Sequence, residues 1–402
     1  MSSVIKSWEA MQVKPLRWLA INAIFANFSN GLMYITMTWI LLSQKNSISA
    51  LAILMICFWA PTVFLGPLCG VIADRYSRRL LLIISNTTRG LVLLLVALFL
   101  HRDMVPMEVY GLAIALSLFG NLYGPASFAY ILEIVPKPQM FNANAIMATA
   151  YEIGNIVGMG SAGLLIALHS ARVPMALSGL LFMAATLCLL KIHRHHTTPP
   201  TPRVHRDVLK ELYAGLTYLV DQKDLRILYT AQLLLMVNFL TAPILLAPFA
   251  KNLLHASPQE FGLLQICLSI GIVLGGLVSP FLVELWELKN IVLIKVCAIT
   301  LLFILFSLTT HLVVANIIYF LLGLTLAAWT LIITKAQLHT DLNYLARSQA
   351  AFNSLAAVVI LLIYLLLNLG GDHISLRALY GMEAIFSLGA FYLLWRYRTV
   401  LM

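Results

Sequence analysis

The chain has 402 residues, of which 61% are hydrophobic and only 10% are charged, and its mean hydropathy is +0.91. A soluble domain is about half apolar and about one quarter charged, so this composition excludes a soluble enzyme, a disordered chain and a disulfide scaffold. It predicts an all-α integral membrane protein. The formal net charge of +10 then concerns the side of the bilayer that the basic residues occupy, and no nucleic-acid partner is expected.

Long apolar runs predict twelve transmembrane helices, because about 20 helical residues cross the hydrocarbon core of a bilayer. Turn residues and charges separate the runs. They lie near residues 17–43, 48–73, 80–100, 106–131, 140–168, 172–192, 225–251, 257–284, 290–310, 312–338, 345–369 and 374–395.

The basic residues predict the orientation. Most of the 26 Lys and Arg residues fall in loops on the same side of these spans as the N-terminus, and positive loops face the cytoplasm. Both termini are therefore expected in the cytoplasm, and a bacterial inner membrane is the expected location. The lipid bilayer is the one certain partner, and a monomer is expected.

The longest polar stretch divides the chain into three predicted parts. Residues 1–192 form an N-terminal six-helix bundle, 193–224 a cytoplasmic linker and 225–402 a C-terminal six-helix bundle. Four linker histidines, His193, His195, His196 and His205, have no Cys or carboxylate cluster beside them. A solvated basic linker is therefore favoured over a metal site, and no metal or cofactor is expected.

The two halves resemble weak copies of each other. At one constant offset Gly66 aligns with Gly275, and Asn144 aligns with Asn353. Two parallel six-helix repeats are a known plan of membrane transporters, so the fold class predicted is twelve transmembrane helices in two pseudo-repeats.

Polar side chains inside the spans predict a wet cavity that holds a small-molecule substrate. Those in span one are spaced so that they share one helix face, and span seven has similar residues in the corresponding place. The candidate residues are Asn27, Asn30, Tyr34 and Thr38 in span one, Asn121 and Tyr123 in span four, and Asn238 and Thr241 in span seven. The alternative is that they only form hydrogen bonds between helices.

Glu152 is the strongest candidate for coupling transport to an ion, because a charge in the middle of a membrane is costly. It shares a helix face with Asn155, while Gly154 and Gly158 lie roughly opposite and are suited to close helix packing. We interpret Glu152 as a protonatable coupling or substrate-contact group. A protonated packing residue is the alternative.

Three further ionisable residues lie within spans. Arg89 is deep in span three and needs a carboxylate or a cavity, so it joins Glu152 as a coupling candidate. Lys295 is near a helix end and is expected to extend its amine to the membrane surface. Glu383 in span twelve has no evident role.

The most specific motif follows span two. It reads Gly66-Pro67-Leu68-Cys69-Gly70-Val71-Ile72-Ala73-Asp74-Arg75-Tyr76-Ser77-Arg78-Arg79. It resembles the loop between helices two and three of the major facilitator superfamily, with two glycines for close helix contact and basic residues at the cytoplasmic surface. The resemblance implies a cytoplasmic gate. Its candidate residues are Gly66, Gly70, Asp74, Arg75, Arg78, Arg79 and Glu133; the alternative for the basic ones is that they only set the topology.

Further stretches resemble the branch of that superfamily that holds siderophore and drug exporters and, more distantly, lysophospholipid transporters. They are Phe28-Ser29-Asn30-Gly31-Leu32, Gly124-Pro125-Ala126, Leu132-Glu133-Ile134-Val135-Pro136 and Asn142-Ala143-Asn144-Ala145. The chain departs from the pattern at Asn30, where the branch often has an acid, and at Met159, where antiporters usually have a proline.

The resemblance implies a secondary active transporter that exports a small organic or amphipathic solute, siderophore or drug-like, by alternating access. A lysophospholipid transporter of the same fold and a non-transporting membrane sensor are the alternatives. No P-loop occurs, which favours gradient drive, and protons are a candidate driving ion. No hydrolase motif occurs, so an enzyme is not expected.

Overall fold

The structure is a computed structural model that describes residues 13–99, 104–136, 139–168, 171–192, 208–326, 328–341 and 344–401. Within this part the chain is almost entirely helical and contains no strand. The α-helices are α1 (Lys14–Gln44), α2 (Ile48–Arg75), α3 (Arg78–Phe99), α4 (Pro106–Gly120), α5 (Tyr123–Ile134), α6 (Met140–Leu168), α7 (Arg172–Leu190), α8 (Val208–Asp221), α9 (Lys223–Asn252), α10 (Pro258–Leu285), α11 (Leu288–Leu308), α12 (Leu312–Leu326), α13 (Ala328–His339), α14 (Leu345–Gly370) and α15 (Leu376–Arg396).

The predicted spans correspond to these helices. By length and composition, 10 helical segments of the described chain can cross a membrane. Two of them are helix pairs, α4 with α5 and α12 with α13. The other two predicted spans are α1 and α6, which have 31 and 29 residues and carry more polar side chains. The amphipathic α8 lies in the predicted linker, whose residues 193–207, with all four histidines, lie outside the described chain.

The chain divides into two compact units. The first unit contains Met1–Gln44 and Leu54–Val204, and the second contains Lys45–Ile53 and His205–Met402. In the first unit α1 packs on α6 and α7, and α3 packs on α7. In the second unit α15 packs on α9 and α11, and α10 packs on α12. The predicted bounds of the three domains stay a prediction.

Glycines bring helix backbones into direct contact in both units. A Cβ atom at Gly154 of α6 would lie 2.5 Å from the carbonyl oxygen of Ile24 in α1, and one at Gly158 would lie 2.3 Å from that of Phe28. The close-packing face predicted for span five is therefore confirmed. In the second unit a Cβ atom at Gly323 would lie 2.1 Å from the Leu268 carbonyl oxygen.

Arginines at helix starts tie α3 to α7 in an antiparallel pair. Arg79, at the start of α3, donates hydrogen bonds to the carbonyls of Leu189 and Leu190 at the end of α7, both at 2.9 Å. Arg172, at the start of α7, donates to the carbonyl of Ala97 near the end of α3 at 2.6 Å. The last carbonyls of a helix lack partners within the helix and attract cations, so each arginine stabilises the neighbouring helix end.

Candidate functional site

Arg89 is the centre of a polar group inside the first unit. Its side chain is 4% exposed. Its Nε donates to the Ser85 carbonyl oxygen at 3.1 Å, its Nη2 to Asn86 Oδ1 at 2.9 Å and its Nη1 to Asn30 Oδ1 at 3.4 Å. All three acceptors are uncharged, and no carboxylate of the described chain lies within ion-pair distance of the guanidinium.

Two aromatic rings complete the surroundings of this arginine. The guanidinium carbon lies 4.3 Å from the ring centre of Phe182 in α7 and 5.5 Å from that of Tyr123 in α5. Cation–π contact stabilises a desolvated guanidinium, although it leaves the charge without a counter-ion. We call Asn30, Asn86, Arg89, Tyr123 and Phe182 the Arg89 cluster.

Tyr123 is held in place by a residue of α1. Its hydroxyl donates to Asn22 Oδ1 at 2.7 Å, and Asn22 Nδ2 donates to the Ala185 carbonyl oxygen at 2.8 Å. Tyr151 packs edge-on against Tyr123 and is within 2.9 Å of the Ser127 hydroxyl. The cluster thus connects helices α1, α3, α5 and α7, and Tyr151 adds a contact from α6, so its geometry depends on the packing of these five helices.

The predicted polar stripe of α1 falls into two parts. Asn30 is exposed and contacts Arg89, while Asn27 donates to the carbonyl of Ala23 in its own helix at 2.9 Å. Tyr34 and Thr38 carry buried hydroxyl oxygens that have no hydrogen-bond partner within the described residues. Of these four residues, only Asn30 shares a side-chain hydrogen bond with a predicted site residue on another helix, Arg89, within the described chain.

Asn121 and Glu152 remain separate from the Arg89 cluster. Asn121, at the break between α4 and α5, accepts a hydrogen bond from the Thr62 hydroxyl at 2.7 Å. Glu152 and Asn155 are half-buried on α6. Glu152 makes no ion pair with Arg89, the other coupling candidate.

The second unit buries an acid between α9 and α15. Glu383 is 3% exposed, and its Oε1 accepts a hydrogen bond from the Thr241 hydroxyl at 2.6 Å. Asn238 Nδ2 donates to the backbone carbonyl of Glu383 at 2.7 Å. The second oxygen of Glu383 and Oδ1 of Asn238 are buried and have no partner among the described residues. We call these three residues the Glu383 cluster.

A cleft lies beside the Glu383 cluster. It is small, with a cavity volume of about 20 Å³, and is lined by Asn238, Phe239, Leu268, Phe303 and Tyr319, among others. The hydroxyls of Tyr319 and Tyr380 are 2.6 Å apart, and Tyr380 also donates to the Ala242 carbonyl at 3.2 Å. The predicted residues Asn238 and Thr241 thus lie together, next to the acid for which the sequence indicated no role.

The expectation that Lys295 extends to the membrane surface is wrong. Its side chain is 8% exposed, and its amine donates to Ser279 Oγ at 2.6 Å and to the Leu324 carbonyl oxygen at 3.1 Å. Helix α11 packs against α12, so the amine finds acceptors inside the unit without reaching for water.

The predicted gate is described in part. Arg78 and Glu133 form an ion pair, with side chains that are 14% and 17% exposed. Arg79 instead caps the end of α7, which gives it a packing role. Gly66, Gly70, Asp74 and Arg75 lie in helix α2, but their side-chain surroundings lie outside the described set. Their gate role stays a prediction.

Sequence reasoning missed several residues that complete the two clusters. Asn22, Asn86 and Phe182 in the first unit are fully or almost fully buried, and Tyr380 in the second unit is fully buried. Asn86 lies three residues before Arg89, on the same helix face, and this spacing could have identified it. The contribution of Phe182 depends on the packing of α3 against α7, which leaves no local signal in the sequence.

Among the described residues, no group of three His, Cys, Asp or Glu side chains gathers as metal ligands would.

Comparison with known proteins identifies the family. The profile of the Major Facilitator Superfamily matches residues 19–364. The chain is 24% identical to the multidrug efflux pump Tap of Mycolicibacterium fortuitum over 65% of its length and 66% of that protein. It is 25% identical to the enterobactin exporter EntS of Shigella flexneri over 52% of its length and 49% of that protein. These matches thus span about half to two thirds of the relatives' length.

Solved structures support the fold. The structure of the nucleoside transporter NupG matches 94% of this chain and 97% of its own, with a TM-score of 0.73 and 16% identity. A bacterial homologue of the lysosomal transporter Spinster, in an inward-facing and unoccupied conformation, matches with a TM-score of 0.64 and 14% identity, over 96% of this chain and 95% of its own. At these identities the likeness concerns the fold alone.

Proposed function

Because the chain belongs to the Major Facilitator Superfamily, we propose that it is a secondary active transporter that exports a small organic solute by alternating access. One observation of the structure carries the proposal: Arg89 and Glu383, which are 4% and 3% exposed, lie inside helices that can span a membrane. Ionisable groups in such segments are costly and belong to solute or ion pathways as a rule.

The names of two relatives support the proposed direction of transport. The multidrug efflux pump Tap and the enterobactin exporter EntS are both named for export. We therefore propose outward transport of a siderophore or a drug-like amphipathic compound across a bacterial inner membrane. The monomeric state and the cytoplasmic position of both termini remain part of this proposal.

Coupling to protons is the proposed driving force. Glu152 on α6 and Glu383 on α15 are the two acids of the described chain that lie well inside helices predicted from the sequence to span the membrane. Only one oxygen of the Glu383 carboxyl group has a hydrogen-bond partner among the described residues. A buried carboxylate without a cation is strongly disfavoured relative to the neutral carboxylic acid, so this residue is suited to bind and release a proton. Glu152 remains the second candidate acid, and Arg89 is the other coupling residue predicted from the sequence.

A transport assay with the purified protein in proteoliposomes tests the proposal; export by the protein appears as uptake into vesicles that hold it inside-out. An imposed pH gradient should drive uptake of a fluorescent amphipathic drug or a catecholate siderophore into the lumen of the vesicles that hold the protein inside-out, and a protonophore should abolish this uptake. A labelled lysophospholipid in the same vesicles tests the alternative substrate. If no compound moves faster than in protein-free vesicles, the transport function is wrong.

A further inference from the structure

The Arg89 cluster holds a positive charge that its own unit does not balance. Every hydrogen-bond acceptor of the guanidinium is a neutral amide oxygen, and no described carboxylate is within ion-pair distance. The residue is nevertheless buried, with only 4% of its surface exposed. A buried cation is stable only when it is paired, so the arrangement lacks an anion.

Asn86 adds a donor beside this cation. Its Oδ1 must face Arg89 Nη2, since the reverse orientation would point an N–H group at the guanidinium. Its Nδ2 is consequently fixed on the other side, where it is buried with no hydrogen-bond partner among the described residues. A buried amide donor without an acceptor is destabilising, so Asn86 lacks an acceptor where its neighbour Arg89 lacks a negative charge.

The backbone of α4 leaves room next to the guanidinium. A Cβ atom built on Gly120 would meet only Arg89, with Nη1 at 3.6 Å and Cδ at 4.0 Å. Asn30, on the same Nη1 atom, is exposed. The Nη1 end of Arg89 is therefore the accessible end, whereas the rings of Phe182 and Tyr123 cover other parts of the guanidinium.

We propose that the Arg89 cluster binds the carboxylate of an organic anion at the Nη1 end of Arg89, with Gly120 providing the space and Asn86 holding the guanidinium in place through Nη2. This inference rests on the proposed transport function, because it assigns the exported solute to the organic acids. A carboxylate is the ligand that fits: it supplies two acceptor oxygens and the missing negative charge, and its pairing with arginine is strong and directional.

Binding is measured on the purified full-length protein in detergent, with benzoate as the probe and benzamide as its neutral control. At constant ionic strength, benzoate should raise the melting temperature and benzamide should not, because a ligand that binds only the folded state stabilises it. Sodium phosphate in a third arm separates a carboxylate site from a general anion site. Equal effects of all three compounds, or no effect of benzoate, would overturn the proposal.

Two variants keep the test independent of folding. Asn86→Asp supplies a built-in carboxylate next to Arg89, so the variant should stay folded and lose at least about tenfold in benzoate affinity. Gly120→Ala places a methyl group at ordinary contact distance from Nη1 and should weaken benzoate binding; Gly111→Ala is its matched control, since a Cβ atom there meets nothing within 4 Å. Unchanged benzoate binding in Asn86→Asp would refute the site.

Transport separates this inference from the proposed function. Wild-type protein and Asn86→Asp are compared in proteoliposomes with an anionic and a neutral drug-like compound. Loss of the anionic compound alone supports the site. Equal transport of both compounds by both proteins overturns the site and leaves the transport function intact. Benzoate binding without transport of any compound supports the site and overturns the transport function.

Discussion

Each of the two clusters buries an ionisable side chain, a cation in the first unit and an acid in the second, and the polar atoms around them lack different hydrogen-bond partners. In the first unit Arg89 has only uncharged acceptors and Asn86 Nδ2 has no acceptor among the described residues, whereas in the second unit Glu383 Oε2 and Asn238 Oδ1 lack a donor. Each defect alone is destabilising, because an unpaired polar group in an apolar interior loses its hydration without compensation. This difference agrees with the two proposals made above, an anionic solute at the first unit and a proton at the second.

The same comparison distinguishes ligand sites from packing devices. Lys295 in the second unit is also a buried cation, but two oxygens accept from it, and Ser279 in turn bonds to the carbonyl of Gly275. Arg78 has Glu133 as its counter-ion. Burial of a charge is thus not the distinguishing feature. Arg78 also has a buried Nε without a hydrogen-bond partner, but Glu133 balances its charge. Arg89 and Glu383 combine an unpaired atom in or beside the charged group with the absence of a counter-ion among the described residues.

Replacing Glu383 should give the largest effect. Glu383→Gln keeps the size and the acceptor for Thr241 but cannot exchange a proton, so gradient-driven efflux should fall to the level of protein-free vesicles. Glu152→Gln should retain gradient-driven efflux if the second unit carries the coupling. The measurement is efflux across a series of pH values in proteoliposomes.

The pH profile decides between these two acids. Loss of pH dependence in Glu383→Gln, with the wild-type profile in Glu152→Gln, supports the comparison. The reverse pattern would assign the coupling to the first unit and would contradict the proton role of the Glu383 cluster. Solute binding measured without a gradient serves as the control, because it should survive in both variants.

The gate pair should give the next largest effect. We expect the Arg78–Glu133 ion pair to form in only one of the two access states. If it stabilises that state by about 1.4 kcal/mol, Glu133→Gln changes the equilibrium constant between the two states by about tenfold. Transport should fall accordingly while benzoate binding at Arg89 persists. The charge-exchanged double variant Arg78→Glu with Glu133→Arg should restore part of the rate. Full activity of Glu133→Gln would exclude the gate role.

The sequence predicts the helical architecture well because hydrophobic run length is a local property. The twelve runs and the glycine face of span five depend only on residues near each other in the chain, and both correspond to what the structure contains. The sequence also indicates Asn121 and Tyr123 as polar residues within an apolar run, but it predicts one continuous span where the structure has a break between α4 and α5.

The partners of the buried charges could not be predicted in this way. Whether Arg89 meets a carboxylate or aromatic rings depends on which faces of α3, α5 and α7 come together, and Lys295 was misjudged for the same reason. A position near a helix end favours extension to the surface only when no closer acceptor exists. Ser279, from another helix, is that closer acceptor.

Gly→Ala substitutions at close helix contacts should destabilise the two units by similar amounts, whereas substitutions of the buried charges should have different effects in each unit. Gly158→Ala in the first unit and Gly323→Ala in the second would each force a methyl group against a carbonyl oxygen, at 2.3 and 2.1 Å. Each substitution should destabilise the protein by about 1–3 kcal/mol, as overpacking does. Thermal melting in detergent checks this, with Gly276→Ala as the control because its Cβ position is open. A melting temperature that falls in only one variant would show that the units differ in packing as well as in charge.

The smallest effect is expected at Lys295, and it tests whether satisfied charges are dispensable. Lys295→Met keeps the length of the side chain and removes a buried cation; Ser279 retains its bond to the Gly275 carbonyl. Replacing a buried charge by an apolar side chain of similar volume is often neutral or stabilising. Melting temperature and transport rate should therefore stay close to those of the wild type, whereas Arg89→Met should lose benzoate binding. A Lys295→Met variant that folds but no longer transports would mean that a buried charge with two hydrogen-bond acceptors also takes part in transport. The presence of hydrogen-bond partners would then fail to separate packing residues from functional ones.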